Sequence, residues 1–361
     1  MIRPRSVLRL AVFVSGHGYG HLTRTATLLR ALVVRQSVRL TVITSAPSSL
    51  WPRELSPYTD VWRPVSCDAG VVQTDDLSVD TVATRKATRS WLRVTSVVRD
   101  RLQHDLLDRG GVDCILGDVP PVAFEVASAL GVPSIAVANF SWDWIYDALG
   151  LVDAAAAARR AYEDATVLLE LEPATPMPAF ARRVDGGVLG RRAIVDPAET
   201  RRSLGLDLGD CAVLLAFRPS ALERIRLPAA RAGLRYVSPT PLGGDRHDLI
   251  VLKSDVTFID ALAAVDLVVA KTGYSVLADC AANGARLLWA RREGFPEDAY
   301  LARWLERRAW AAEIAVHALT SGSWRVDLEA ALARQRPALP PCDPAAHAAA
   351  ALEEQLGLLL E

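Results

Sequence analysis

Lysine is nearly missing: of the 41 Lys and Arg residues in this 361-residue chain, only Lys86, Lys253 and Lys271 are Lys. A lysine inside a motif is therefore conspicuous. Charge of one sign is also missing, since the formal net charge is −1 and no run of five like charges occurs. Proteins that live on nucleic-acid phosphates show a basic excess, so nucleic acid is not an expected partner. Cys67, Cys114, Cys211, Cys280 and Cys342 are odd in number and never form C-x-x-C, so neither a disulfide framework nor a metal site is expected. No apolar stretch approaches the roughly 18 residues of a membrane span. The stretch Val7–Val14 is broken by Arg9 and runs into glycines without a small-residue cleavage site. It reads as a first strand rather than a signal peptide, and a cytoplasmic location is the expectation.

What is present is globular. Hydrophobic residues make up 51% and charged residues 23% of the chain, which excludes intrinsic disorder and suits about two domains of ordinary size. Short β-rich runs alternate with longer amphipathic segments, the grammar of parallel sheets covered by helices. Leu10–Val14 reads as a strand and Ser15–Gly20 as a glycine loop. The helix that follows carries Leu22, Ala26, Leu29 and Val33 on one stripe. Strands are expected at Leu40–Thr44, Asp113–Leu116, Ser134–Ala138 and Thr166–Leu171. The stretch from Glu172 to Gly190 has no period and is rich in Pro and Gly, so it reads as the linker. The grammar then restarts, with strands at Ala212–Phe217, Asp266–Ala270 and Arg286–Trp289. Helices are expected at Asp196–Leu204, Val276–Asn283, Ala299–Ala312 and Ala345–Leu360. The expected domains are 1–185, 190–340 and a C-terminal helix, 341–361, returning to the first half.

Five motifs follow strand ends, where open α/β sheets bind ligands. Ser15-Gly16-His17-Gly18-Tyr19-Gly20-His21 lacks the G-x-G-x-x-G spacing, and Leu40–Thr44 runs into Ser45-Ala46-Pro47 without the acid that a dinucleotide site would place there. Its glycines let a backbone approach a ligand, and the positive helix end favours a neutral, basic imidazole. That suits His21 as a general base on a hydroxyl, with a turn whose histidines satisfy backbone groups as the plainer alternative. Asp118, past the third strand, is placed to fix a His tautomer, or else to cap a turn. Asn139-Phe140-Ser141-Trp142-Asp143-Trp144-Ile145-Tyr146 offers a polar–aromatic acceptor wall or buried core. Lys271-Thr272-Gly273-Tyr274-Ser275, with Asp279 further along, has the form of a diphosphate cradle with an acid for ribose hydroxyls, or of a generic strand–helix turn. Glu297-Asp298 is a weaker candidate for gripping hydroxyls.

Six stretches carry a resemblance: Ser15–Arg24, Cys67–Asp80, Gly117–Val122, Asn139–Tyr146, Lys271–Asp279 and Arg291–Leu301. The chain resembles nucleotide-sugar glycosyltransferases of the GT-B type, above all the glycosyltransferase-like N-terminal region of plant L-arabinokinases, with the kinase half absent. The resemblance implies α/β architecture: two Rossmann-like doubly wound domains facing across a cleft, acceptor half first and donor half second. It implies an inverting, metal-independent transfer from a nucleotide-diphosphate sugar, a UDP-sugar, to a small-molecule acceptor hydroxyl, with no other cofactor. His21 and Asp118 fall on the catalytic pair of that fold family. Gly16, His17, Gly18, Gly20, Arg218, Lys271, Gly273, Tyr274, Ser275, Asp279, Glu297 and Asp298 fall on the donor side; Asn139, Trp142 and Asp143 fall on the acceptor side. Two departures stand out. Asp279 is one methylene shorter than the usual Glu, and Arg218-Pro219 replaces Gly-Gly, where Arg218 can restore anion affinity by direct pairing. A sugar-nucleotide epimerase or hydrolase drawing on Asp75, Asp76, Glu297 and Asp298, or a non-catalytic nucleotide-sugar-binding protein, are the competing expectations.

Overall fold

The computed structural model describes residues 7–74, 77–244 and 246–361, so Asp75 and Asp76 lie outside the described residues. Two compact units result. The first takes in the chain to Val72, Asp80–Leu189 and Pro344–Glu361; the second takes in Gln73–Val79 and Gly190–Asp343.

In the first unit the elements run β1 (Leu8–Val14), α1 (Tyr19–Val33), β2 (Val38–Thr44), β3 (Thr59–Pro64), α2 (Thr81–Asp108), β4 (Cys114–Asp118) and α3 (Val122–Leu130). Then come β5 (Ser134–Ala138), α4 (Trp142–Ala148), α5 (Val152–Glu163), β6 (Val167–Leu171) and β7 (Arg183–Gly187). Every described pairing is parallel, in the order β3-β2-β1-β4-β5-β6-β7. Strands buried on both faces need continuous apolar runs, and Leu10–Val14 and Ser134–Ala138 are fully buried. The order reverses between β1 and β4, whose register pairs Val14 with Asp118. That is the switch point at which doubly wound sheets bind ligands.

The second unit holds α6 (Pro197–Leu204), β8 (Cys211–Ala216), α7 (Pro219–Leu222), β9 (Leu234–Ser238), β10 (Leu249–Val251), α8 (Phe258–Ala264), β11 (Leu267–Lys271) and α9 (Tyr274–Asn283). It continues through β12 (Leu287–Ala290), α10 (Asp298–Glu306), β13 (Ala311–Ile314), α11 (Val316–Ser321) and α12 (Arg325–Leu332). Its sheet, β10-β9-β8-β11-β12-β13, again reverses order, here between β8 and β11. Two apolar clusters cover its two faces. The final helix, α13 (Pro344–Leu360), belongs to the first unit. Its Ala345, Ala348, Ala349, Leu352 and Leu356 share one face at helical spacing and join the core formed by α1 and the first sheet.

Three expectations are corrected. The linker stretch contains β7, an edge strand paired only with β6, whose half-exposed Arg183-Val184-Asp185-Gly186-Gly187 lacks the alternation of an inner strand. The helix expected over 299–312 ends at Glu306, and Ala311–Ile314 is a strand; the short apolar run there suits either element. Finally, Gln73–Val79 leaves the first half. Ser78 bridges Glu293 and Glu293 N donates to Leu77 O at 2.6 Å, which ties the segment to the second unit.

Candidate active site

The first unit gathers its chemistry around Asp118, the last residue of β4. Ser15 N donates to Asp118 O at 2.8 Å, pinning the loop after β1 to the end of β4. At Gly16 a Cβ would lie 1.9 Å from the Ser45 hydroxyl, which would have to swing away to make room. Helix α1 starts at Tyr19, which puts His21 in its first turn and turns the ring inward, 6% exposed. His21 Nδ1 stands 2.8 Å from Asp118 Oδ1. One turn later on the same face, Arg24 grips the same carboxylate side-on, with Nε 2.8 Å from Oδ2 and Nη2 on Oδ1. Thr25 Oγ1 donates to Oδ2 at 2.6 Å. Burial alone would push the Asp118 carboxyl up, but the Arg24 charge and the His21 ring, with hydrogen bonds from both, hold it well below the usual carboxylate range.

Arg24 Nη2 also lies 3.0 Å from His21 Nδ1. A guanidinium has no acceptor, and Arg24 already donates to Oδ1. The arrangement that satisfies the ionised carboxylate therefore puts the imidazole proton on Nδ1, facing Asp118, and leaves the Nε2 lone pair open. That is the tautomer a general base requires.

Arg24 was legible only as the last residue of a matching stretch, and Thr25, one residue beyond it, not at all. Asp68 was missed as well. It follows β3, is 8% exposed, and accepts from Trp142 Nε1 at 2.9 Å and from Ser15. Burial raises its carboxyl above the ordinary value, against the hydrogen bond from Ser15 and the nearby His21 ring. Gly70, at φ 62°, makes room for His17: a Cβ there would lie 2.7 Å from His17 Nδ1. The signal for this loop lay in the Cys67–Asp80 stretch, but no spacing rule singled out one acid.

The residues that the resemblance puts on the acceptor side are all buried, which is the second of the two readings the sequence left open. Asn139 is buried; its oxygen accepts from Arg24 Nη1 at 2.6 Å and its amide donates to Leu171 O and Pro173 O. It is a clamp on Arg24. Asp143, in the first turn of α4, is fully buried, 3.5 Å from Arg159. Trp142 packs inside an aromatic layer, stacked on Tyr146 and edge-on to Phe140 and His17. Its indole edge reaches the site only through Asp68.

In the second unit, Lys271 ends β11, Thr272 is fully buried, and Gly273, Tyr274 and Ser275 open α9 with no side-chain cap. Gly273 has φ 177°, a conformation open to any residue, and no atom lies within 4 Å of a Cβ built there. The fold does not require this glycine. Arg218 precedes Pro219, which occupies the first turn of α7, where no N–H is needed. Thr272 Oγ1 donates to Asp298, which also accepts from Arg292 N at 2.6 Å and Arg292 Nε at 2.8 Å, while Arg292 Nη2 reaches Glu297 at 3.0 Å. Arg292 thus neutralises the acid pair expected to grip hydroxyls, and Asp298 staples the loop after β12 to the loop after β11.

Asp279 corrects a further expectation. It is 1% exposed and accepts from Arg191 N at 2.8 Å and Arg191 Nη2 at 2.5 Å. Asn283, one turn on, binds Arg191 O and Ala193 N. This face of α9 holds the chain at 190–193, so the Asp279 carboxylate is committed to Arg191 rather than open to a ribose.

The comparisons with known proteins agree with this architecture. The chain is 30% identical over 351 residues to the L-arabinokinase of Arabidopsis thaliana, which covers 93% of this chain but only 32% of that protein. The chain thus spans about a third of that relative's length. No protein-family model matches. Among solved structures, the glycotransferase of kitacinnamycin superposes with a TM-score of 0.62 at 17% identity, covering 99% of this chain and 96% of the other. A Phytolacca americana enzyme complexed with UDP-2-fluoro-glucose and pterostilbene gives 0.62 at 12%, covering 98% and 94%. A UDP-N-acetylglucosamine 2-epimerase from Listeria monocytogenes gives 0.57 at 13%, covering 95% and 94%. The chain has the GT-B fold: two α/β units, each of Rossmann strand order. No described helix is long and apolar enough to cross a membrane.

Proposed function

We propose that this protein transfers a sugar from a nucleotide-diphosphate sugar, a UDP-sugar in the first instance, to an acceptor hydroxyl, with inversion and without a metal. The observation that carries the reading is the His21 Nδ1–Asp118 Oδ1 contact of 2.8 Å at the switch point of the first sheet. His21 Nε2 takes the acceptor proton while the acceptor oxygen bonds to the anomeric carbon. The carbon–oxygen bond to the diphosphate breaks, and the nucleoside diphosphate leaves with that electron pair. Attack opposite the leaving group gives inversion. Asp118 keeps the ring oriented and faces the imidazolium.

The donor falls to the second unit. The uncapped start of α9 and the Lys271 charge suit the diphosphate, and the open space at Gly273 suits a close phosphate approach. These groups supply positive charge to the leaving diphosphate without a metal. An epimerase has the same fold, but the two acids it would draw on among the described residues, Glu297 and Asp298, are held by Arg292.

The test compares His21→Ala with His17→Ala, reading nucleotide release from a donor panel with and without acceptors. His21→Ala is expected to lose about 10²–10⁴ in turnover with nucleotide affinity unchanged. His17, edge-on to Trp142, should change turnover far less. Full activity in His21→Ala would overturn the mechanism and favour a binding protein.

A further inference from the structure

Helix α2 is out of proportion to what it packs against. It is 28 residues long, about 42 Å at 1.5 Å per residue, yet only Thr84, Thr88, Leu102 and Leu106 are buried. Its first two thirds carry charge of one sign. From Thr81 to Arg99 the helix holds Arg85, Lys86, Arg89, Arg93 and Arg99 and no acid, in a chain whose formal net charge is −1. Arg99 has Asp100 beside it. Arg85, Lys86, Arg89 and Arg93 are exposed and take no ion-pair partner among the described residues. Four cations are thus held at fixed spacing by one rigid element. The pattern stops after Arg99, where Asp100, Asp105 and Asp108 return acids to the helix.

Between the cations stand valines. Val82 is 81% exposed and Val97 67% exposed. Val82, Lys86, Arg93 and Val97 fall at i, i+4, i+11 and i+15, one outward stripe, with Arg89 at its edge. A β-branched residue costs helix propensity, and an exposed valine gains no packing in return. A face turned only to water is better served by Ala, Glu or Lys. Valines set among cations suit a surface that is apolar and anionic at once. A second copy of this face would bring like charges together, and a nucleic-acid backbone offers the valines no apolar contact.

We propose that the outward face of α2 from Val82 to Val97 docks on an anionic lipid surface. Arg85, Lys86, Arg89 and Arg93 meet the headgroup phosphates, and Val82 and Val97 enter the headgroup–acyl boundary. The docking is peripheral, held by charge and shallow insertion, and is independent of the transferase reading.

The full chain is sedimented with vesicles of phosphatidylcholine alone, or of phosphatidylcholine and phosphatidylglycerol in equal parts. It should pellet with the mixed vesicles and not with the neutral ones, and added salt should release it. Each cation near such a surface is worth about fivefold in binding, so Lys86→Gln with Arg93→Gln should weaken it about twenty-fivefold. Arg53→Gln with Arg202→Gln, which removes two exposed cations elsewhere, should change it less than about twofold. Val82→Ser with Val97→Ser keeps every charge and should weaken binding by about tenfold or more. All six positions are exposed, so none of these substitutions removes a buried contact. Failure to pellet with the mixed vesicles, or equal losses from the two Gln pairs, overturns the proposal. So does binding that survives the serine pair, and heparin held as tightly as the vesicles would then make the face a polyanion site. No sugar transfer enters these measurements, so their outcome leaves the transferase reading untouched.

Discussion

Arg24 Nε lies 2.8 Å from Asp118 Oδ2, so the carboxylate that orients His21 is neutralised before any proton moves. In a bare His–Asp pair the acid waits for the imidazolium; here it is shared with a permanent cation that is itself 7% exposed. Removing one partner of a buried ion pair strands the other, at a cost of about 3–5 kcal/mol. Arg24→Ala should therefore lower the melting temperature by roughly 6–20 °C, taking about 2–4 °C per kcal/mol. Arg24→Lys should recover part of the loss but not the side-on fork. Calorimetry showing wild-type melting in Arg24→Ala would mean the pair contributes nothing.

The same cluster predicts a tautomer. With Asp118 Oδ1 at 2.8 Å and Arg24 Nη2 at 3.0 Å from Nδ1, the two neighbours make opposite demands on one nitrogen. Asp118 wins, because its hydrogen bond is charge-assisted and the Arg24 proton is already engaged. Nitrogen-15 shifts of His21 in neutral solution should report a protonated Nδ1 and a bare Nε2. The reverse assignment would make His21 a hydrogen-bond donor to its ligand and end its candidacy as base.

Much of this site was legible in the sequence, because strand ends in doubly wound sheets concentrate chemistry. The glycine loop after β1 and Asp118 at the end of β4 are predictable neighbours once both are recognised as strand ends. What stayed hidden depends on side-chain direction in three dimensions. Arg24 drew no role from the sequence three places after His21, and only the inward turn of that α1 face gives it a buried one. Helix α2 escaped notice because just Thr84, Thr88, Leu102 and Leu106 of its 28 residues are buried, too few for an apolar stripe. Asp279 misled for the opposite reason. Its spacing from Gly273 is right for a ribose contact, but the face it occupies is taken by Arg191, 88 residues earlier.

Acid should separate Asp118 from Asp68. Asp118 is held well below the usual carboxylate range by Arg24 and His21 acting against its burial. Its contribution to stability is therefore full above the unfolded value of about 3.9 and is lost as pH falls through the folded value. Asp68 is raised by burial, so its charged form costs stability once pH climbs past the unfolded value. Urea titrations across pH 2–7 should show Asp118→Asn flattening the acid loss, and Asp68→Asn gaining stability toward neutral pH. Parallel curves for both variants and the wild type would show that neither carboxylate is perturbed.

The proposed donor site yields the sharpest contrast, between Lys271 and Asp279. Lys271 ends β11 just before the uncapped start of α9. A charge-assisted contact from it to a diphosphate is worth about 1.5–3 kcal/mol, so Lys271→Ala should weaken nucleoside diphosphate binding roughly ten- to a hundredfold and leave folding intact. Asp279 should behave the other way. Its carboxylate satisfies Arg191 N and the Arg191 guanidinium from a buried position, and losing it strands that N–H at about 1–3 kcal/mol of stability. Nucleotide affinity, by contrast, should stay within about twofold. Both variants are titrated with UDP and melted side by side. If Asp279→Ala instead loses nucleotide affinity as steeply as Lys271→Ala while melting like the wild type, the carboxylate leaves Arg191 for the ribose when nucleotide binds, and its assignment as a strut is wrong.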